Sequence, residues 1–213
     1  MSISLAGLAA LGTVAVLVMY ELFLALAQRR HPDRLARSVN VRVRQDWFEA
    51  ISEHSGSEIL GVQTLRNSLM SASMTASTAA LGLMGAVSLA APSLDAGFGQ
   101  IQAGLPTLTP RLVLELVLMA LLFASLLSSA MAVRFYNHAG FICAMPVGSE
   151  ARRRWAPTAV SYLRRAGLHY SWGLRHLLLV APILVSILSP LAGPVAAVLV
   201  VLVLYGFDRF NVP

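Results

Sequence analysis

The chain has 213 residues, of which 57% are hydrophobic and 12% charged, and its formal net charge is +6. Soluble domains carry roughly 25% charged residues and 45–50% apolar ones, so this composition excludes an ordinary water-soluble core and points to apolar side chains facing lipid. All sixteen basic residues are arginine, and they stand beside long apolar runs, which argues for membrane topology rather than nucleic-acid binding as the source of the positive charge.

In chain order, the first apolar run, Ile3 to Ala27, holds one charge, Glu21. It is long enough to cross a hydrocarbon layer about 30 Å thick, which needs about 20 helical residues. A first membrane helix is expected over about 4–27. The run lacks a basic leader and a small-residue cleavage site, so it reads as a retained helix rather than a signal peptide. Gln28-Arg29-Arg30-His31-Pro32 should end it. The polar segment 28–64 follows, with Trp47, Phe48 and Ile51 at near-helical spacing, continued by Ile59 and Leu60. That pattern predicts an amphipathic helix lying on the membrane interface or on the end of the bundle.

A second crossing is expected over about 65–89. It is rich in small residues: Ala72, Ala76 and Ala80 recur every four residues, as do Ser73 and Ser77. Such rows let helix backbones approach closely in lipid, where packing drives association, and they suit the centre of a bundle or a subunit interface. Ala91-Pro92-Ser93 is expected to end the helix. The loop to Pro110 carries one charge, Asp95. A third crossing spans about 110–136, with Pro110 suited to a first helical turn. Segment 137–173 leaves the membrane. Ser149 reads there as a helix cap, followed by a second amphipathic stretch with Arg152, Arg153, Arg154, Arg164 and Arg165 beside Trp155, Tyr162 and Tyr170.

The last apolar stretch, about 174–207, is too long for one straight span and is interrupted by Pro182, Pro190, Gly193 and Pro194. One broken crossing is the expectation, because each arm of a hairpin turning at Ser189 to Pro194 would hold only about 14 residues, or roughly 21 Å, unless the first begins near Tyr170. The fold class is therefore an all-α integral membrane bundle in one domain, with four transmembrane helices, the last proline-broken, and two cytoplasmic amphipathic helices. Segments 28–66 and 134–175 carry seven arginines each, and the 93–110 loop carries none. Positive-inside logic places both basic segments in the cytoplasm of a cell inner (plasma) membrane, with both termini outside, or the C-terminus inside if the last stretch is a hairpin.

This topology gathers polar residues at one depth on the cytoplasmic side: Glu21 from the first helix, Arg66, Asn67 and Ser71 from the second, Arg134, Asn137 and His138 from the third, and Arg175 from the last. Ionisable groups at membrane depth are costly and commonly face a bundle interior or a watery cavity. The competing reading is that the arginines snorkel to lipid phosphates and that the short polar side chains cap helices or bond between them. Glu115, four residues from Arg111, reads as an i,i+4 pair or as part of an outer gate. The single cysteine, Cys143, excludes an internal disulfide and any multi-cysteine metal site within one chain. No histidine stands in a metal-binding motif. His169 and His176, two helical turns apart, or His138 are the residues that could hold a metal or haem, and no particular cofactor is indicated. Met70 and Met74 read as packing. No P-loop, nucleophile elbow or paired catalytic carboxylates occur, so nothing in the sequence points to an enzyme.

Two segments resemble a known family. Gln63-Thr64-Leu65-Arg66-Asn67-Ser68-Leu69-Met70-Ser71-Ala72-Ser73 and Ala132-Val133-Arg134-Phe135-Tyr136-Asn137-His138-Ala139-Gly140-Phe141 are similar to stretches of the DUF599 family of bacterial and plant membrane proteins. Gly173-Leu174-Arg175, Ala181-Pro182 and Leu204-Tyr205-x-x-Asp208 look like that family's last helix. Ser71 departs from its commoner alanine, and Leu177, Leu178 and Ser186 replace aromatic residues. The resemblance implies a multi-pass membrane fold and no particular activity.

Three functional readings follow. The leading one is an oligomeric channel or transporter-like protein that admits an anion or small acidic solute through the arginine-rich mouth. A small four-helix bundle is thin for an enclosed pore, so a homo-oligomer is part of that reading. The alternatives are a structural or accessory subunit that docks a partner, and a membrane-embedded metal or haem protein. The lipid bilayer is the expected partner in every case, and nucleic acid in none.

Overall fold

The computed structural model describes residues 4–30, 36–98 and 108–208. The described residues form six helices and no strand: α1 (Leu5–Arg30), α2 (Ala36–Glu53), α3 (Glu58–Phe98), α4 (Pro110–Cys143), α5 (Glu150–Leu188) and α6 (Gly193–Asp208). Four of them, α1, α3, α4 and α5, are long and apolar enough to cross a membrane. The expected stop at His31-Pro32 and most of the loop before Pro110 lie outside the described residues.

Local signals explain the helix starts. Thr109 caps α4 by accepting the Leu112 N–H at 3.2 Å, and Ser149 caps α5 by accepting the Arg152 N–H at 3.2 Å. Gly56 and Gly148 take φ of +90° and +82° just before α3 and α5, a left-handed backbone that costs glycine nothing. Several boundaries differ from the expectation. Helix α3 continues through Pro92 to Phe98, because one proline near a helix end forfeits only one ladder bond. Helix α4 runs past Tyr136 to Cys143. The second amphipathic stretch is no separate helix but the first half of α5, which passes unbroken through Pro182. With 41 residues, α3 is about 60 Å long at 1.5 Å per residue, twice a bilayer core.

The last apolar stretch is a hairpin rather than one broken crossing. Helix α5 ends at Leu188, the chain turns at Ser189–Ala192, and α6 runs back so that Asp208 meets Arg175. The expectation counted about 14 residues per arm unless the first began near Tyr170. Because the amphipathic stretch is helically continuous with the apolar one, the first arm is much longer than that count.

The chain divides into two compact units. Among the described residues, the first comprises 4–30, 79–98, 108–124 and 175–208; the second comprises 36–78 and 125–174. In the first unit, Leu17, Leu118, Leu179, Ile183 and Leu204 form the core. Thr13 and Ser186, both fully buried, approach to 3.3 Å, and Thr13 also bonds the Ala9 carbonyl at 3.1 Å. A Cβ on Gly193 would lie 2.5 Å from Ser186, so this glycine is what lets α6 come so close. In the second unit, Phe48 and Ile51 of α2 pack with Leu65, Tyr136 and Leu163. The amphipathic face expected from Trp47, Phe48 and Ile51 is therefore real, but it covers a protein core. Ile59 and Leu60 belong to α3 and are exposed.

The small-residue row of α3 is partly as expected. Ala72 is fully buried, but the buried seam continues through Ala79 and Ala86 rather than through Ala76 and Ala80. A step of four residues turns about 400° and drifts off the contact, whereas a step of seven turns about 700° and stays near it. The hydroxyls of Thr64, Ser68, Ser71, Thr75, Thr78 and Ser88 each donate to the carbonyl four residues earlier, at 2.9–3.2 Å. Each is thus satisfied within its own helix.

Candidate functional site

The eight residues singled out from the sequence fall into two groups. Glu21 and Arg175 belong to the first unit, and Arg66, Asn67, Ser71, Arg134, Asn137 and His138 belong to the second.

In the first unit, Arg175 is closed off. Its side chain is only 5% exposed, and Nε donates to Glu21 Oε1 at 2.6 Å. Nη1 and Nη2 donate to Asp208 Oδ1 and Oδ2 at 3.2 and 2.8 Å, a two-pronged fit of guanidinium to carboxylate. The Tyr20 hydroxyl donates to Asp208 Oδ2 at 2.5 Å, and the guanidinium lies 5.1 Å from the centre of the Tyr20 ring. Both acids and Tyr20 thus converge on one cation and join α1, α5 and α6. Tyr20 and Asp208 were missed as site residues. Asp208 stands at the end of the last apolar run, and only the hairpin carries it back to Arg175. Arg175 is saturated by carboxylates, so its geometry is that of a structural ion cluster rather than of an anion receptor.

Glu115 of the same unit is buried, with 1% of its side chain exposed, and accepts the Arg111 Nε–H at 2.9 Å. The i,i+4 pairing expected from the sequence is present, although the acid is far more enclosed than a surface pair.

In the second unit the picture is the opposite. Arg66, Asn67, Ser71, Arg134, Asn137 and His138 are all exposed. Arg66 and Asn137 line one cleft of about 330 Å³ whose walls include Leu65, Leu69, Tyr136 and Phe141. The two family-like segments meet there, the first supplying Leu65, Arg66 and Leu69 and the second Tyr136, Asn137 and Phe141. Among the described residues Arg66 has no carboxylate partner, and neither does Arg134, which stands one helical turn from Asn137 and His138. Asn67 and Ser71 are joined by a local bond from the Ser71 hydroxyl to the Asn67 carbonyl, 3.1 Å. Neither is among the described residues that line the cleft.

The histidines are occupied by rings. His138 sits 5.6 Å from Tyr162, and His169 stacks on Phe135 at 5.6 Å. Phe135 also stacks on Tyr162 and carries Arg165 over its face, each at 5.9 Å. Among the described residues no group of three histidine, cysteine or acidic side chains could hold a metal ion. His169 and His176 fall in different units.

Arg152 was not weighed as special within its arginine run, yet it is 3% exposed. Its Nη1 donates to the Cys143 and Met145 carbonyls at 3.0 and 2.7 Å, Nη2 donates to the Ser52 hydroxyl at 3.3 Å, and the guanidinium lies 5.9 Å from Phe48. It caps the last carbonyls of α4 and fastens the turn to α2. Glu58 assists by accepting the Val147 N–H at 2.7 Å.

Fold and sites together define an all-helical protein with four helices suited to crossing a membrane, one saturated charge cluster and one cleft with an uncompensated cation. The chain belongs to the family described as proteins of unknown function, DUF599, whose model matches residues 8–212. Neither the curated proteins nor the solved structures contain a match to it.

Proposed function

We propose that the chain is a multi-pass membrane protein of transporter or channel type that takes up a small anionic solute at the Arg66–Asn137 cleft. The observation that carries this reading is Arg66 itself: a permanently charged guanidinium without an acidic partner among the described residues, in a cleft walled mostly by apolar and aromatic side chains. Asn137 adds an amide able to donate or accept, and Arg134 stands one helical turn before it on α4. Arg175 and Glu21 leave the solute-binding set, because they neutralise one another.

In this account the arginine-rich segments lie in the cytoplasm, and the membrane is the cell inner membrane. The chain starts outside. Helix α6, at 16 residues or about 24 Å, returns through the bilayer beside α1 and brings the C-terminus inside. The exposed apolar face of α6, including Val195, Leu199, Leu202 and Phe207, supports that placement. A solute path needs more walls than one small bundle provides, so the working form is a homo-oligomer. The exposed face of α3, with Met70, Met74, Leu81 and Met84, is the surface offered to a second copy.

Purified protein in liposomes should pass a labelled monocarboxylate or another small anion, and Arg66→Gln should reduce that flux at least tenfold. Equal flux in protein-free vesicles, wild type and R66Q would end the proposal. A tightly co-purifying protein together with no flux would move the assignment to an accessory subunit.

A further inference from the structure

Resting on the anion reading of the Arg66 cleft, we infer that the solute is a single-chain amphiphilic monocarboxylate, with its head on Arg66 and Asn137 and its alkyl chain along the cleft wall.

Charge fixes the head. Among the described residues the lining holds one cation, Arg66, and no acid. One guanidinium balances one negative charge, and its planar fork matches a carboxylate in two-pronged geometry. The Asn137 amide can donate to the same oxygens. A doubly charged phosphate monoester would leave one charge unbalanced.

Wall chemistry fixes the tail. Leu65 and Leu69 on α3 face Tyr136 and Phe141 on α4 across the cleft, and Phe141 is 66% exposed. An exposed phenylalanine beside an unpaired arginine is unfavourable for a site meant only for a small hydrated ion. It suits a ligand that brings its own apolar surface. Depth agrees with this arrangement. Arg66 stands at the edge of the uncharged run from Ser68 to Leu94, and a chain lying past Leu69 enters that run.

The cleft of about 330 Å³ has room for a carboxylate and one short chain.

Gly140 provides the test that leaves the head site intact. It lines the cleft, and a Cβ placed on it would meet nothing within 4 Å. Gly140→Leu therefore adds apolar bulk at a lining position where a Cβ has room, and it favours the helix.

Binding of straight-chain monocarboxylates from two to ten carbons is measured on the purified full chain in nanodiscs, with empty nanodiscs as the partition control. Affinity should rise roughly two- to fourfold per added methylene until the wall is covered. G140L should keep the weak binding of the two-carbon acid and flatten the rise, and R66Q should weaken every member of the series. Equal affinity for all chain lengths, still lost in R66Q, would overturn the amphiphile inference and leave the anion site standing. Binding that follows chain length equally in wild type, R66Q and empty nanodiscs is membrane partition and would overturn both. A phospholipid found by mass analysis on wild-type protein and absent from R66Q would assign the head to a lipid phosphate and overturn the carboxylate.

Discussion

Removing the Arg175 guanidinium should be among the most damaging single changes in the first unit, and neutralising its two acids should undo the damage. Arg175→Met keeps the apolar stem and deletes a group that bonds Glu21 once and Asp208 twice. Breaking a buried ion pair by removing one partner costs about 3–5 kcal/mol, because the other charge stays behind. The arginine is 5% exposed, but the Glu21 and Asp208 side chains are 26% and 25% exposed. Solvent screening of the acids lowers the expected loss to about 2–4 kcal/mol. The triple variant R175M/E21Q/D208N retains shape and removes all three charges, so it should lie within about 1 kcal/mol of the wild type. Reversible denaturant unfolding of purified protein in mixed micelles measures both differences. If the triple variant is as unstable as R175M, charge compensation is not what the cluster provides, and the arginine acts through packing alone.

Gly193→Ala should destabilise the α6 contact by about 1–3 kcal/mol, since the new methyl meets Ser186 and Thr13; the same unfolding assay reads it, and an unchanged midpoint would show that α6 has room to move. Arg152→Leu should cost about 2–4 kcal/mol by releasing the Cys143 and Met145 carbonyls and the Ser52 hydroxyl. Faster hydrogen exchange confined to the end of α4 and the following turn is its expected signature. Arg111→Ala should destabilise by about 1–2 kcal/mol because Glu115 is 1% exposed and loses its bonded partner. Adding Glu115→Gln should recover most of that loss, and a further fall in the unfolding midpoint would contradict it.

Membrane-type helices were legible because apolar length is a one-dimensional signal: Leu5–Ala27 and the uncharged heart of α3 read directly. Caps were legible for the same reason, as Ser149 before α5 and Pro110 at the start of α4 show. Helix ends were less so. Pro92 and Pro182 were taken as breaks, but a proline costs one ladder bond and packing on both sides carries the helix through it. The hairpin was not legible, because the length of its first arm depends on whether the amphipathic stretch joins the apolar one without a break.

The polar residues illustrate the same limit. Their shared depth could be read from topology, but which of them pair is a matter of azimuth and turn geometry. Arg175 pairs with Glu21 and also with Asp208, which lies 33 residues beyond it in the chain. Arg66 and Asn137 share a cleft that no linear spacing announces. Arg152 looked like its neighbours Arg153 and Arg154, and only the turn back from α4 distinguishes it by burying it.

Equilibrium binding of a radiolabelled medium-chain monocarboxylate to the wild type and R66Q in nanodiscs tests the central claim most directly. Saturable binding at one site per chain in the wild type, weakened at least tenfold in R66Q, is the predicted result. Non-saturable uptake that is the same in both would contradict it and leave the cleft a feature of packing.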